Sequence, residues 1–170
     1  GRRMVVVHEE DHVGLPLRDP LLAELVTFED RRPVRLFRLA KVDGRADLIM
    51  DCIAEDMEQK AALLRRFERS LAAGAIFIST TSGLSITEMG CRSGVGHLLA
   101  GAHFWNPPHI VPCVEVIKSR FTSEAVFESA YQLMKLIGKR PVRVLKDVPG
   151  FLGNRMQHAL WREAMSLVQQ

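Results

Sequence analysis

Cysteine is sparse in this chain: three residues, Cys52, Cys91 and Cys113, with no CxxC pair among them. An odd number of scattered thiols excludes the disulfide framework of a small secreted scaffold and fits a reducing compartment, the cytosol or, in a eukaryote, the mitochondrial matrix. Long apolar runs are missing as well. Stretches such as Met4–Val7 and Leu98–Ala102 fall far short of the ~18 apolar residues that a membrane span needs, so no membrane partner is expected. Excess charge of one sign is also absent. The chain carries 23 Lys and Arg against 20 Asp and Glu, a net charge of +3, and they are interspersed. That excludes the basic footprint of a nucleic-acid binder, although a slight positive bias suits an anionic ligand. Internal repeats and low-complexity tracts are absent. Arg2-Arg3 with the four apolar residues after it is too short for a secretory signal, and the start reads as a cut boundary.

What is present is an ordinary globular composition over 170 residues, 47% hydrophobic and 25% charged, enough for one domain with a real core. Met4 to Glu9 is a β-branched run ending in acids, the form of a buried parallel strand. From Asp11 to Gly44 the pattern is broken by Pro16, Pro20 and Pro33; Leu21 to Phe28 suggests a helix and Val34 to Leu39 a strand. Beyond Gly44 the pattern is regular. Ala46 to Ile53 predicts a strand, Met57 to Leu71 a helix with Leu63, Leu64, Phe67 and Leu71 on one face and Gly74 as its stop, and Ala75 to Ser79 the next strand. This βαβ order favours a mostly parallel sheet with helices on both faces, a Rossmann-like α/β fold. Ser85-Ile86-Thr87-Glu88 has the form of a helix start. Leu98 to Phe104 and Cys113 to Ile117 read as strands on either side of Asn106-Pro107-Pro108. Thr122 or Ser123 caps a helix through Ile137, Pro141 to Leu145 is a strand, and Phe151 to Gln170 is helical with Leu160, Ala164 and Leu167 on one stripe.

In an open parallel sheet, ligands gather at the carboxyl ends of the strands. That rule selects Glu9, Glu55 to Lys60, Thr80 to Leu84 and His103 to Pro108. His103 is the best base, since an imidazole accepts and returns a proton near neutral pH. Glu115 follows after a Pro-rich reversal and can lie beside it, where a carboxylate on one ring nitrogen would fix the tautomer. From spacing alone, a satisfied core histidine and a surface acid remain the competing reading. Cys91, His97, His103 and His109 recur every six residues, but that period matches no helical pairing or close ligand cluster, and no metal is expected. Ser82 could donate to a substrate oxygen, or be an ordinary loop hydroxyl. Asn154 could do the same, or cap a helix. A glycine-rich G-x-G-x-x-G turn after the first strand, the usual mark of a dinucleotide site, is not found.

Several strings together are more specific. They are Ala46-Asp47-Leu48-Ile49 through Glu55-Asp56 to Lys60; Thr81-Ser82-Gly83-Leu84-Ser85-Ile86-Thr87; His103-Phe104-Trp105-Asn106-Pro107-Pro108 with Val114-Glu115-Val116-Ile117; Gly138-Lys139-Arg140-Pro141-Val142; and Lys146-Asp147-Val148-Pro149-Gly150-Phe151-Leu152-Gly153-Asn154-Arg155. They resemble the L-3-hydroxyacyl-CoA dehydrogenase family from about Asp43 to Gln170. The resemblance implies NAD as cofactor and oxidation of the 3-hydroxyl of a 3-hydroxyacyl-CoA to the 3-oxo thioester. It implies His103 as general base, Glu115 as its support, and Ser82 and Asn154 as substrate-binding residues. Glu55, Lys60 and Asn106 correspond to residues near the cofactor, and Glu9 to the acid on the adenosine ribose, which favours NAD over NADP.

The chain departs from the family pattern at Thr80 and Gly83, where the family loop has Asn and a second Ser. With Trp105, Gly83 could instead mark a branch acting on carnitine or a sugar acid. A third reading is a non-catalytic remnant without the phosphate-cradling glycines. The implied organisation is a partial NAD-binding Rossmann-like domain over 1–147, truncated at its N-terminus so that it begins just after the family's first strand, glycine turn and helix, and the first helix of an all-α domain over 148–170. A homodimer is expected where that helical domain is complete.

Overall fold

A computed structural model describes residues 4–8 and 46–170, with backbone alone for 4–8 and 70–73. The expected helix at Leu21–Phe28, the strand at Val34–Leu39 and Glu9 lie outside the described residues. Among the described residues, six strands and four α-helices follow in order: β1 (Met4–His8), β2 (Ala46–Cys52), α1 (Met57–Phe67), β3 (Leu71–Ser79), α2 (Ile86–Ser93), β4 (Leu99–Phe104), β5 (Cys113–Ile117), α3 (Glu124–Leu136), β6 (Arg140–Val144) and α4 (Gly153–Gln169). One sheet holds all six strands in chain order. Strands β1 to β4 are parallel, β5 runs antiparallel to β4, and β6 is parallel to β5. The sheet is Rossmann-like and mostly parallel.

This reversal at β5 decides which helix covers which face. Crossovers between parallel strands are right-handed. Helices α1 and α2, on crossovers advancing along β2, β3 and β4, therefore share one face. Because β5 and β6 point the other way, the same handedness sends α3 to the opposite face. The two cores record this. Leu63, Leu64 and Phe67 of α1 and Ile86 and Met89 of α2 pack with Ile49, Phe77, Leu99 and Ile117. Val126, Phe127, Ala130 and Met134 of α3 pack with Leu48, Ile76, Ile78, Ala100, Ala102, Val114 and Val116. Neighbours along each strand alternate between the two sets, as the period of two in a strand requires. His103 follows Ala102 and Glu115 lies between Val114 and Val116, so by the same alternation both face the α1/α2 side.

Helix starts follow their sequence signals. Asp56 caps α1, accepting from the Gln59 amide at 2.8 Å. Ser85 caps α2 through the Glu88 amide at 3.1 Å. Of the two candidates for α3, Ser123 is the cap, through the Val126 amide at 3.3 Å. The Thr122 hydroxyl turns inward to the Leu99 carbonyl at 2.6 Å.

One expected boundary is corrected. Helix α1 stops at Phe67, residues 68–70 form a single 3-10 turn, and Leu71 already belongs to β3. Gly74, at φ +77°, is not the helix stop but lies within β3. Pairing passes from Ala46↔Leu71 to Leu48↔Ile76, so the edge of β3 bulges there. A left-handed glycine lets a strand absorb such extra residues.

Candidate active site

The carboxyl ends of β2, β3 and β4 form one edge, and the antiparallel β5 begins on that same edge. In register, His103 of β4 faces Glu115 of β5. Their side chains meet at 2.7 Å, Nδ1 to Oε2, with only 6% and 2% exposed. Glu115 is held from three further directions. Trp105 Nε1 donates to the same Oε2 at 3.3 Å, and the backbone amides of Leu152 and Gly153 donate to Oε1 at 2.9 and 3.0 Å.

The two amides belong to the start of α4, whose first N–H groups have no partner inside the helix. No side chain of the helix's own N-cap residue supplies one. The Glu115 carboxylate does, and the positive end of the helix favours its negative charge. Burial would raise the Glu115 carboxyl, but hydrogen bonds from His103, Gly153, Leu152 and Trp105 outweigh it and hold the group below the ordinary carboxylate value. An anionic Glu115 accepts Nδ1–H of His103, and the remaining ring nitrogen then carries a lone pair.

The turn before α4 is tight. Gly150 has φ +76° and Phe151, a non-glycine, has φ +50°. Such a conformation costs roughly 1–3 kcal/mol. Phe151 is fully buried in the α1/α2 core, worth roughly 1.5–3 kcal/mol, so burial can offset the strain. Its ring also lies 5.5 Å from the His103 ring, closing the imidazole from that side.

A second cluster sits at the ends of β2 and β3. Asp51 is buried and accepts from Lys60 Nζ at 2.8 Å, the Ile53 amide at 3.2 Å and the Ser79 hydroxyl at 2.6 Å. The Lys60 ammonium is 1% exposed, bonded also to the Ile53 carbonyl at 3.1 Å and 4.0 Å from Glu55. Glu55 is 43% exposed, and its Oε1 gathers the Thr81 hydroxyl at 2.5 Å and the Ser82 and Gly83 amides at 2.8 and 3.0 Å. It thus shapes the loop that presents Ser82. Asn154 of α4 donates through Nδ2 to the Ser82 carbonyl at 2.7 Å, tying that loop to the helix under Glu115.

The structure therefore brings His103, Glu115, Ser82 and Asn154 into two linked contacts around the α4 start. Glu55 joins them from the loop after β2. Lys60 is placed inside the fold rather than on the open edge, and Asn106 is exposed just beyond β4. Sequence reasoning missed Asp51 and the Leu152 and Gly153 amides, and read Trp105 only as a sign of a substrate branch, not as a partner of Glu115. Asp51 had a signal, an acid inside a mostly apolar strand nine residues before a lysine at a helix start. Trp105 and the amides had none, because their role depends on where α4 docks. Among the described residues, no group of three or more His, Cys, Asp or Glu is placed to hold a metal ion.

A mostly parallel sheet with a buried, hydrogen-bonded His–Glu pair at its carboxyl edge has the layout of a nucleotide-dependent oxidoreductase. The comparisons with known proteins agree. Residues 35–148 match the family model described as 3-hydroxyacyl-CoA dehydrogenase, NAD binding domain. The chain belongs to the 3-hydroxyacyl-CoA dehydrogenase family through that domain. It is 38% identical over 125 residues to the 5-formyl-3-hydroxy-2-methylpyridine 4-carboxylate 5-dehydrogenase of Mesorhizobium japonicum, covering 74% of this chain and 40% of that protein. It is 37% identical over 131 residues to the mitochondrial hydroxyacyl-coenzyme A dehydrogenase of Homo sapiens, covering 77% and 41%. L-carnitine dehydrogenase of Streptomyces griseus is 34% identical over 123 residues, covering 72% and 37%. A crystal structure of the pyridine-carboxylate dehydrogenase superposes with a TM-score of 0.72 at 36% identity, over 80% of this chain and 44% of that one. The chain thus spans about 40% of the length of the relatives it matches.

Proposed function

We propose that the chain is the nucleotide-side portion of an NAD-dependent dehydrogenase that oxidises the 3-hydroxyl of a 3-hydroxyacyl-CoA to the 3-oxo thioester. The observation that carries this is the buried His103–Glu115 contact of 2.7 Å at the carboxyl edge of the sheet. Family membership supports the choice of cofactor. The exposed edge made by Glu55, Ser82, Gly83 and Asn106 fits the nicotinamide end, next to His103. When bound, NAD supplies the hydride acceptor. Glu9, proposed for the ribose, lies outside the described residues.

Glu115 keeps the Nδ1 proton of His103 in place, so the other ring nitrogen takes the proton from the substrate hydroxyl. The imidazolium that results faces a carboxylate that four donors hold anionic. Phe151 and the α4 start exclude water from the Nδ1 side. In this reading Ser82 and Asn154, which the Asn154–Ser82 contact holds together, bond the substrate oxygens, with Glu55 fixing the loop. In this reading Lys60 acts on the cofactor through Glu55, because its own ammonium is buried against Asp51. In the reverse direction His103 returns the proton.

A second reading keeps this chemistry and changes the substrate to carnitine or a sugar acid. It draws on the similarity to L-carnitine dehydrogenase and on Gly83 and Trp105. Titrating the chain with NADH and following nicotinamide fluorescence tests the cofactor proposal, with saturable binding expected. Absence of binding at millimolar cofactor would favour a non-catalytic remnant. Initial rates with 3-hydroxyacyl-CoA and with carnitine, measured on the protein as it occurs, separate the two substrates.

The division into 1–147 and a helical segment from 148, with pairing of two copies, belongs to the same proposal. It draws on α4, where Leu160, Trp161, Met165, Leu167 and Val168 are exposed. Light scattering of the purified protein measures the pairing. No described helix is long and apolar enough to cross a membrane. The described cysteines are free thiols, which supports a reducing compartment, cytosol or matrix.

A further inference from the structure

Glu115 explains most of its own surroundings: a base to orient and a helix start to satisfy. One contact is left over. Trp105 donates its indole N–H to Oε2, the same oxygen that faces His103 Nδ1. The Trp105 ring also determines a residue on another element. A Cβ built on Gly153 would lie 1.9 Å from Cζ2 of Trp105 and 2.8 Å from Cε2 and Cη2. No side chain fits there. Gly153 is the first residue of α4, and here the indole, rather than backbone conformation, requires glycine.

We propose that Trp105 is a positioning residue: its indole N–H anchors the Glu115 oxygen that holds His103, and its ring, seated on Gly153, sets how closely the α4 start approaches that carboxylate. The inference rests on the catalytic reading of His103 and Glu115. The geometry has two parts. The N–H stops Oε2 from rotating away from Nδ1, while the flat ring against Gly153 brings the Leu152 and Gly153 amides within 2.9 and 3.0 Å of Oε1. A smaller ring at 105 would lose the N–H and leave a gap over Gly153. A larger residue at 153 would push α4, and with it two of the four donors, away from Glu115.

The test has two arms. In the first, ¹⁵N-labelled tryptophan gives two indole signals, since the chain has two tryptophans. Trp105→Phe assigns them. The Trp105 N–H is expected to exchange with solvent at least about tenfold more slowly than that of Trp161, which is 50% exposed on α4. It should also shift in Glu115→Gln while the Trp161 signal stays. An N–H that exchanges as fast as that of Trp161 overturns the proposal. In the second arm, Gly153→Ala is expected to lower kcat by about tenfold to a hundredfold with little change in KM for the cofactor. Adding Trp105→Phe should recover the rate of Trp105→Phe alone, because the smaller ring admits the new methyl. A Gly153→Ala variant that turns over like the parent, or a double variant no better than Gly153→Ala, also overturns it. The indole arm needs no turnover, so failure of the dehydrogenase reading shows as an inactive parent, whereas failure of this inference shows as a fast-exchanging indole.

Discussion

Replacing Glu115 with glutamine isolates the carboxylate charge with little change in shape. In the parent, four donors converge on the two oxygens. The glutamine carbonyl can keep the Leu152 and Gly153 amides, which leaves its NH₂ facing the donors of His103 and Trp105. Two bonds to a charged group, at roughly 1.5–3 kcal/mol each, put the loss at about 3–6 kcal/mol. That is a large part of the ~5–15 kcal/mol that stabilises a typical domain. The pH dependence follows from the depressed Glu115 value. As pH falls, the unfolded chain takes up this proton before the folded one does. The stability from Glu115 is therefore complete above the ordinary carboxylate range, ~4.3, and is lost as pH falls through the lower folded value. Guanidinium unfolding followed by circular dichroism, on parent and Glu115→Gln, measures this. The gap is expected to be widest near about pH 7 and to narrow toward about pH 3. A gap that stays constant over that range would refute the argument that an anionic Glu115 holds the α4 start.

Other substitutions probe separate parts of the design. His103→Gln should abolish turnover in the intact enzyme while leaving NADH affinity nearly unchanged by fluorescence titration; near-normal rates would remove His103 from the mechanism. Lys60→Met leaves Asp51 with a buried, unpaired charge and should cost about 3–5 kcal/mol in chemical denaturation. Pairing it with Asp51→Leu should recover part of that loss. Gly101→Ala sets a Cβ 2.9 Å from Ile86 and 3.1 Å from Ile117, and overpacking of about 1–3 kcal/mol should appear as a lower melting temperature. Ser85→Ala removes the α2 cap and a 2.7 Å bond to Asp147, for an expected loss of about 1–2 kcal/mol by the same measurement.

Local chemistry was readable from the chain. Apolar runs placed β2 to β5 within a few residues, because a strand buried on both faces must be apolar along its length. Ser85 and Ser123 announced their helices because a cap acts over three residues. His103 stood out as a proton carrier, and Glu115 as its potential partner, because a Pro-rich reversal returns the chain along itself. The end of α1 was misplaced since Leu63, Leu64, Phe67 and Leu71 keep a helical period past the true stop, and only pairing of Leu71 with Ala46 reveals the strand. Spacing could not show that His103 meets Glu115 in the interior, nor that Lys60 points inward to Asp51. Those outcomes depend on contacts between distant elements: β4 against β5, and α4 against both. Whether Glu115 is a surface acid or a buried anion with four donors is settled by the docking of α4, through Leu152, Gly153 and the indole of Trp105. Long-range packing of this kind leaves no periodic trace in sequence, because each participant is locally an ordinary strand, turn or helix start.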